Sequence, residues 1–282
     1  MRIAITGGKG GTGKSTIATS LASYISKDRR VLLFDADVDC PNDHIILSSK
    51  RKNIGTVTHM VPKWDMSKCT RCGRCSEVCK MNAVVQVRER NPIFIADQCN
   101  GCGACMIACP SGAISKSKKD IGHIYTSNNG NVDMIGGDMI PGQMLSEFVV
   151  SAAKKEVEEK SSDYDVVITD TAAGTHCDVI SALIGNEMAI AVTEPTQLGA
   201  HDLKLVMKLL KVLGIPAKIV LNRSDIGDPG LIEDVAKRYG SEIIASIPYS
   251  KSVIDSYSKG KPVRDSGIEN MASYISGLDG NG

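Results

Sequence analysis

Ten cysteines stand out among the 282 residues, and eight of them fall between positions 69 and 109 as two copies of one pattern. The first copy is Cys69-x2-Cys72-x2-Cys75-x3-Cys79; the second, thirty residues on, is Cys99-x2-Cys102-x2-Cys105-x3-Cys109-Pro110. Gly73 matches Gly103, Ala83 matches Ala113 and Val84 matches Ile114, so the duplication extends beyond the sulfurs. Thiolates are soft ligands: three at this spacing wrap one metal centre, and a distant fourth ties the two halves together. A second constellation opens the chain, Gly7-Gly8-Lys9-Gly10-Gly11-Thr12-Gly13-Lys14-Ser15-Thr16. Closely spaced glycines let backbone N–H groups converge on phosphate oxygens, a lysine adds a cation, and a serine hydroxyl suits Mg²⁺.

Elements on either side must position that loop. Arg2–Thr6 is apolar and β-branched enough for a short buried strand, and Ile17, Ala18, Leu21, Ala22 and Ile25 have helical spacing. Strand, glycine loop and helix together make a nucleotide site of Gly8, Lys9, Gly10, Gly11, Thr12, Gly13, Lys14, Ser15 and Thr16, with Lys14 on the terminal phosphates and Ser15 on Mg²⁺. The continuous apolar run Val31–Phe34 predicts a buried parallel strand ending in Asp35-Ala36-Asp37-Val38-Asp39. A second such strand, Val166–Asp170, leads into Thr171-Ala172-Ala173-Gly174. Carboxylates just past the C-terminal ends of strands lie where doubly wound sheets bind ligands, so Asp170 reads as the Walker B residue that holds Mg²⁺ through water. Asp39 serves equally well as a helix cap. Ala189–Val192, Ala217–Leu221 and Ile243–Ile247 predict further strands, and Leu203–Leu213 a helix. The fold class is α/β: a doubly wound, mostly parallel P-loop NTPase sheet.

With a second lysine, Lys9, inside its loop, the sequence resembles the deviant-Walker-A ATPases, the MinD/ParA/Mrp group that includes the nitrogenase iron protein. That resemblance implies a homodimer with ATP sandwiched between protomers and Lys9 reaching the partner's phosphates. It implies that Asp35 and Asp37 belong to switch I, with Asp37 orienting the attacking water, and that Gly174 is a pivot of switch II. The group often has two prolines where this chain has Ala172-Ala173. It also implies that Asn222 contacts adenine and that Pro248-Tyr249 flanks the base. Asn222-Arg223-Ser224-Asp225 approaches the guanine motif N-K-x-D with Arg for Lys, and ATP is favoured over GTP. In the nitrogenase iron protein a switch II cysteine helps bridge two subunits through a cluster. Cys177 has similar spacing, although an ordinary buried thiol is the expected reading, and Cys40 reads as structural.

The cysteine spacing resembles that of bacterial two-cluster ferredoxins, where the fourth cysteine of each run ligates the other cluster. This implies two [4Fe–4S] clusters, one on Cys69, Cys72, Cys75 and Cys109, the other on Cys99, Cys102, Cys105 and Cys79. Lys80 replaces the usual proline after Cys79 and places a cation beside a ligand. A zinc ribbon is the alternative, but it wants two cysteines per knuckle where each copy here has three plus one. Residues 63–118 carry nine Lys/Arg, Arg88 among them, against four Asp/Glu, an excess that two anionic clusters would nearly cancel. Val84–Val87 and Pro92–Ile95 read as the hairpin of a small α+β bacterial-type ferredoxin domain. The expected organisation is an ATPase first segment at 1–62, an inserted ferredoxin domain at 63–118 and an ATPase second segment at 119–282. Asn128–Asn131 and Gly136-Gly137 read as turns on the return path.

Composition narrows the function classes. Lys plus Arg is 33 against 32 Asp plus Glu, so no basic field points to nucleic acid, and one Trp, seven Tyr and three Phe offer little stacking surface. No signal peptide or spanning segment is visible, and the C-terminal stretch is too poor in cations for a membrane-surface helix, so a cytoplasmic protein is expected. Together these features predict a Mg²⁺-dependent ATPase, slow and partner-stimulated, that couples switch motion to electron transfer or to docking of a redox partner. Alternatives are an iron–sulfur assembly or carrier ATPase of the Mrp type and a redox-sensing spatial organiser of the MinD/ParA type.

Overall fold

In the computed structural model, which describes residues 1–87 and 89–278, the chain alternates strands and helices around one large sheet. Arg88, one of the nine basic residues counted above, lies outside the described residues. The elements in order are β1 (Arg2–Thr6), α1 (Lys14–Ile25), β2 (Val31–Asp35), α2 (Asp43–Ile46), β3 (Lys52–Trp64), α3 (Arg74–Glu77), β4 (Val84–Val85), β5 (Ile93–Phe94), α4 (Ala104–Ile107), β6 (Ile114–Asn129), β7 (Val132–Met139) and α5 (Ser146–Lys160). There follow β8 (Val166–Asp170), α6 (Cys177–Leu183), β9 (Met188–Thr193), α7 (Gln197–Leu213), β10 (Ala217–Asn222), α8 (Gly230–Tyr239), β11 (Ile243–Ile247), α9 (Lys251–Ser258) and α10 (Ser266–Leu278).

Nine strands pair in the order β11-β10-β9-β1-β8-β2-β7-β6-β3. From β11 to β7 all neighbours are parallel; β6 and β3 then add antiparallel at one edge. The sheet is buried on both faces, which is why its inner strands read as unbroken apolar runs. On β1, Ile3 and Ile5 face α1 and α10, whereas Ala4 faces the layer that holds α7 and α8. Beside that layer, α5 covers Leu32 and Phe34 of β2. Helix α10 puts Ile268, Met271, Ala272 and Ile275 into the core. Among the described residues no helix is long and apolar enough to cross a membrane.

The inner strands fall where the hydrophobic runs place them, but the edge does not. Residues 52–64 and 114–129 form a long ribbon with Trp64 opposite Ile114 and Lys52 opposite Thr126. The junctions expected at 62/63 and 118/119 fall within these two strands, and residues 65–113 are carried at the ribbon's end. There the short hairpin pairs Val84 with Phe94 and Val85 with Ile93. Gly136 and Gly137 are not turn residues; they lie inside β7. Packing requires them to be small: a Cβ on Gly136 would stand 2.4 Å from the Tyr125 ring, and one on Gly137 2.8 Å from Val149.

Candidate functional site

Strand β1 ends against the glycine loop, and Gly13, at φ 94°, turns the chain into α1. Only glycine adopts that backbone without strain. The Asn222 side chain fills the space a Cβ would need there and donates to the Thr12 carbonyl at 2.8 Å. Lys14 is 7% exposed, and its Nζ donates to the Lys9 carbonyl at 3.3 Å. Burial lowers its pKa, against the pull of Asp170 and Asp37. The Lys9 side chain is exposed.

Four carboxylates meet beside Lys14. Asp170 closes β8, and its fully buried oxygens lie beside the Ser15 hydroxyl and the Asp43 carboxyl without a well-aligned hydrogen bond. Both oxygens of Asp43, in the first turn of α2, are also buried without one. Burial pushes the Asp170 carboxyl up to about 7, with the Ser15 hydroxyl and Lys14 pulling the other way. It also raises Asp43 well above the carboxylate range, reinforced by repulsion from Asp170 and Asp35. Asp35 is pushed up to about 8, first by burial and then by Asp170. Its oxygens are taken by the Tyr125 hydroxyl at 2.8 Å and by the backbone N–H groups of Asp37 and Asp43, each at 3.3 Å. Asp35 therefore sits beneath the site and braces it. Buried carboxylates without well-aligned partners are costly unless a cation joins them. Asp170, Asp43 and Ser15 offer the hard oxygen donors that suit Mg²⁺ with phosphates and water completing its shell.

From this corner a cavity of about 410 Å³ opens along the loop, lined by Gly10, Gly11, Gly13, Lys14, Ser15 and Thr16. Asp37 and Ala173 border it, and Asn222, against the loop itself, with Arg223, Pro248 and Tyr249 completes its lining. That volume accommodates a mononucleotide. Arg223 pairs with Glu194 at 2.5 Å and lies over the Tyr249 ring, 5.7 Å from its centre. Asp225 accepts the Tyr249 N–H at 2.7 Å.

At the ribbon's end a second cavity is lined by Cys69, Cys72, Cys75 and Cys109, with Trp64 and Gln86. Cys75, Cys79, Cys105 and Cys109 share a small core with Val84, Ile114 and Phe94. Cys105 is pushed up to about 11 by burial and by its neighbours Cys99 and Cys102; Cys75 is raised by burial. Two backbone N–H groups aim at sulfur, Gly101 at Cys99 (3.4 Å) and Ala113 at Cys109 (3.3 Å). Among the described residues no three His, Cys, Asp or Glu side chains come together closely enough to hold a single metal ion.

A model of the CobQ/CobB/MinD/ParA nucleotide binding domain matches residues 3–263. The chain belongs to this family. It is 36% identical over 262 residues to the uncharacterized protein MJ0579 of Methanocaldococcus jannaschii, covering 93% of this chain and 90% of the relative. It is 25% identical over 293 residues to the septum site-determining protein MinD of Thermotoga maritima, covering 98% and 88%. The septum site-determining protein MinD of Pyrococcus horikoshii, complexed with Mg-ADP, shares the fold with a TM-score of 0.62 at 20% identity, over 99% of this chain and 97% of that one.

The MinD/ParA-family fold gathers Lys14, Ser15, Asp37, Asp170, Asn222, Arg223 and Pro248 around one cavity corner or the rest of its lining. Gly8 lies off that lining and packs against α7, where a Cβ would stand 2.6 Å from Asp202. Asp43 and Tyr125 were not expected. Asp43 is the fourth carboxylate in the nine residues from Asp35, a density that could have flagged it; Tyr125 lies in a stretch with no visible signal. Cys40 and Cys177 are exposed, so neither is the structural or buried thiol that the sequence suggests.

Proposed function

We propose that the chain is a nucleotide-gated iron–sulfur protein. In this reading it is an ATPase of the MinD/ParA type that dimerises around ATP and carries two [4Fe–4S] groups for one-electron exchange with a partner protein. The observation that carries this reading is that Cys109, from the second run, lines one cavity with Cys69, Cys72 and Cys75 of the first. Exchange of the fourth ligand between runs is what two-cluster spacing requires. A single tetrahedral ion would draw four sulfurs to within roughly 3.8 Å of one another. Thiols spread around a cavity suit a larger group whose irons take one thiolate each. Cys99, Cys102, Cys105 and Cys79 would hold the second. When bound, such groups store and pass single electrons, at potentials set by burial and by N–H···S bonds like those from Gly101 and Ala113.

At the other end, Lys14 would turn from the Lys9 carbonyl to the terminal phosphates, and Asp170, Asp43 and Ser15 would hold Mg²⁺. Asp37 orients the attacking water, and the exposed Lys9 reaches across to the second protomer. Adenine is favoured because the Asp225 carboxylate, which would read guanine, is occupied by the Tyr249 N–H. Anaerobic gel filtration with Mg·ATP against Mg·ADP, with phosphate release from ATP and GTP, tests the nucleotide half. A dimer with ATP alone and turnover that prefers ATP are expected; a monomer throughout, or preference for GTP, would contradict it.

A further inference from the structure

Three parts of the molecule meet at the first turn of α5. From the Asp37 loop, Val38 shares a core cluster with Val149, and its carbonyl accepts the Met139 N–H at 2.9 Å, just ahead of α5. From the Asp170–Gly174 segment, α6 is stitched to α5 at three points. Ser146 Oγ donates to Asp178 Oδ2 at 3.4 Å, Ser151 and Ser181 hydroxyls pair at 2.9 Å, and Lys154 Nζ donates to the Ser181 carbonyl at 2.8 Å. From the ribbon, the His59 ring meets the Phe148 ring edge-on with centroids 4.8 Å apart.

His59 is buried, and its Nε2 has no hydrogen-bond partner. The other end of this imidazole contact is the Cys99–Cys102 loop. A Cβ on Gly101 would stand 2.5 Å from His59 Nε2 and 2.7 Å from the Met60 carbonyl, and Gly101 is at φ +70°. The loop therefore cannot shift toward β3 without moving the ring, nor the ring without moving Phe148. The Gly101–His59 approach is tight and passes on a displacement, and the ring hands it to Phe148 through their edge-on contact. The first cysteine run has no such link: Arg71, at the position of Gly101, bonds within the lobe to Asn91 at 3.1 Å.

We propose that His59 and Phe148 form the joint through which nucleotide state at the phosphate loop reaches the cysteine runs, entering at the Cys99–Cys105 loop. The proposal rests on the preceding reading that this loop holds a cluster. Both switch segments bear on the start of α5, so a γ-phosphate that moves either one moves Phe148. Both residues act by position and touch neither nucleotide nor sulfur chemistry.

Amide exchange of the anaerobic protein with Mg·ADP and with Mg²⁺ and a non-hydrolysable ATP analogue tests the joint. Exchange in residues 99–105 is expected to change about threefold or more between nucleotides, and by clearly more than in 69–75. Phe148→Ala, at a partly exposed position, abolishes the response, and Phe148→Leu restores it. Equal responses in both runs, no response at all, or a response that survives Phe148→Ala would overturn the joint. Iron counted on the same samples separates the two claims. Eight irons with no response sinks the joint alone; a response in protein lacking iron sinks the cluster reading alone.

Discussion

Two regions of this molecule gather ligand-type side chains, carboxylates in one and thiols in the other, and they are built in opposite ways. The carboxylates Asp35, Asp43 and Asp170 sit at the ends of central strands and in the turn beside them, inside a core that more than fifty buried apolar residues stabilise. The eight thiols sit at the tip of a ribbon around a core of little more than Val84, Ile114, Trp64 and Phe94. The first region is held by the sheet and bears the electrostatic cost of its buried carboxylates; the second has little apolar surface of its own, and under the proposed reading its clusters would help to hold its shape. A hard-ion site can thus be prepaid by the sheet, whereas a soft one of this size depends on what it binds.

The sharpest way to break this contrast is to strip iron from anaerobic protein. Amide exchange in 65–113 is expected to rise by orders of magnitude while the parallel strands keep their protection, a separation that mass spectrometry of the two regions would read. Equal loss in both would erase the distinction. Next in size, Lys14→Gln should reduce ATP hydrolysis on the order of 100-fold or more, with iron content unchanged. Gly101→Ala should cost about 3 kcal/mol in thermal unfolding of the lobe, because it adds a clash with His59 to a left-handed backbone, whereas Arg71→Ala should cost under about 1 kcal/mol.

The smallest effect concerns pH. Asp170 and Asp35 titrate near 7 and 8 in the fold and near 4 when unfolded, so between these limits the folded state holds more protons. Stability of the Mg²⁺- and nucleotide-free protein should therefore fall from pH 5 to pH 8.5, read as a Tm that declines over this range. Mg·ADP should flatten that slope, and Asp170→Asn should reduce it. A Tm that rises over this range in EDTA would contradict the geometry.

Much of this was legible from residue order. The glycine loop, the strand-end aspartates and the duplicated cysteine run are local patterns, and the fold brings Lys14, Ser15, Asp37 and Asp170 to one corner. The ribbon was not legible because Lys52–Trp64 mixes apolar and polar residues without strict alternation, Ser115–Asp120 is polar, and a ladder between residues 50 to 74 apart leaves no local signal. Gly136 and Gly137 were misread because glycine marks turns as readily as close approaches; only the Tyr125 ring above Gly136 distinguishes the two. Asp43 and Tyr125 joined the site through tertiary contacts alone.

Iron, acid-labile sulfide and zinc per chain in anaerobically purified protein, with EPR after reduction, test the central claim most directly. Eight irons and eight sulfides with interacting [4Fe–4S] signals are expected, falling to about half in Cys109→Ser as one cavity empties. Stoichiometric zinc, or far fewer irons with no such signal, would contradict it.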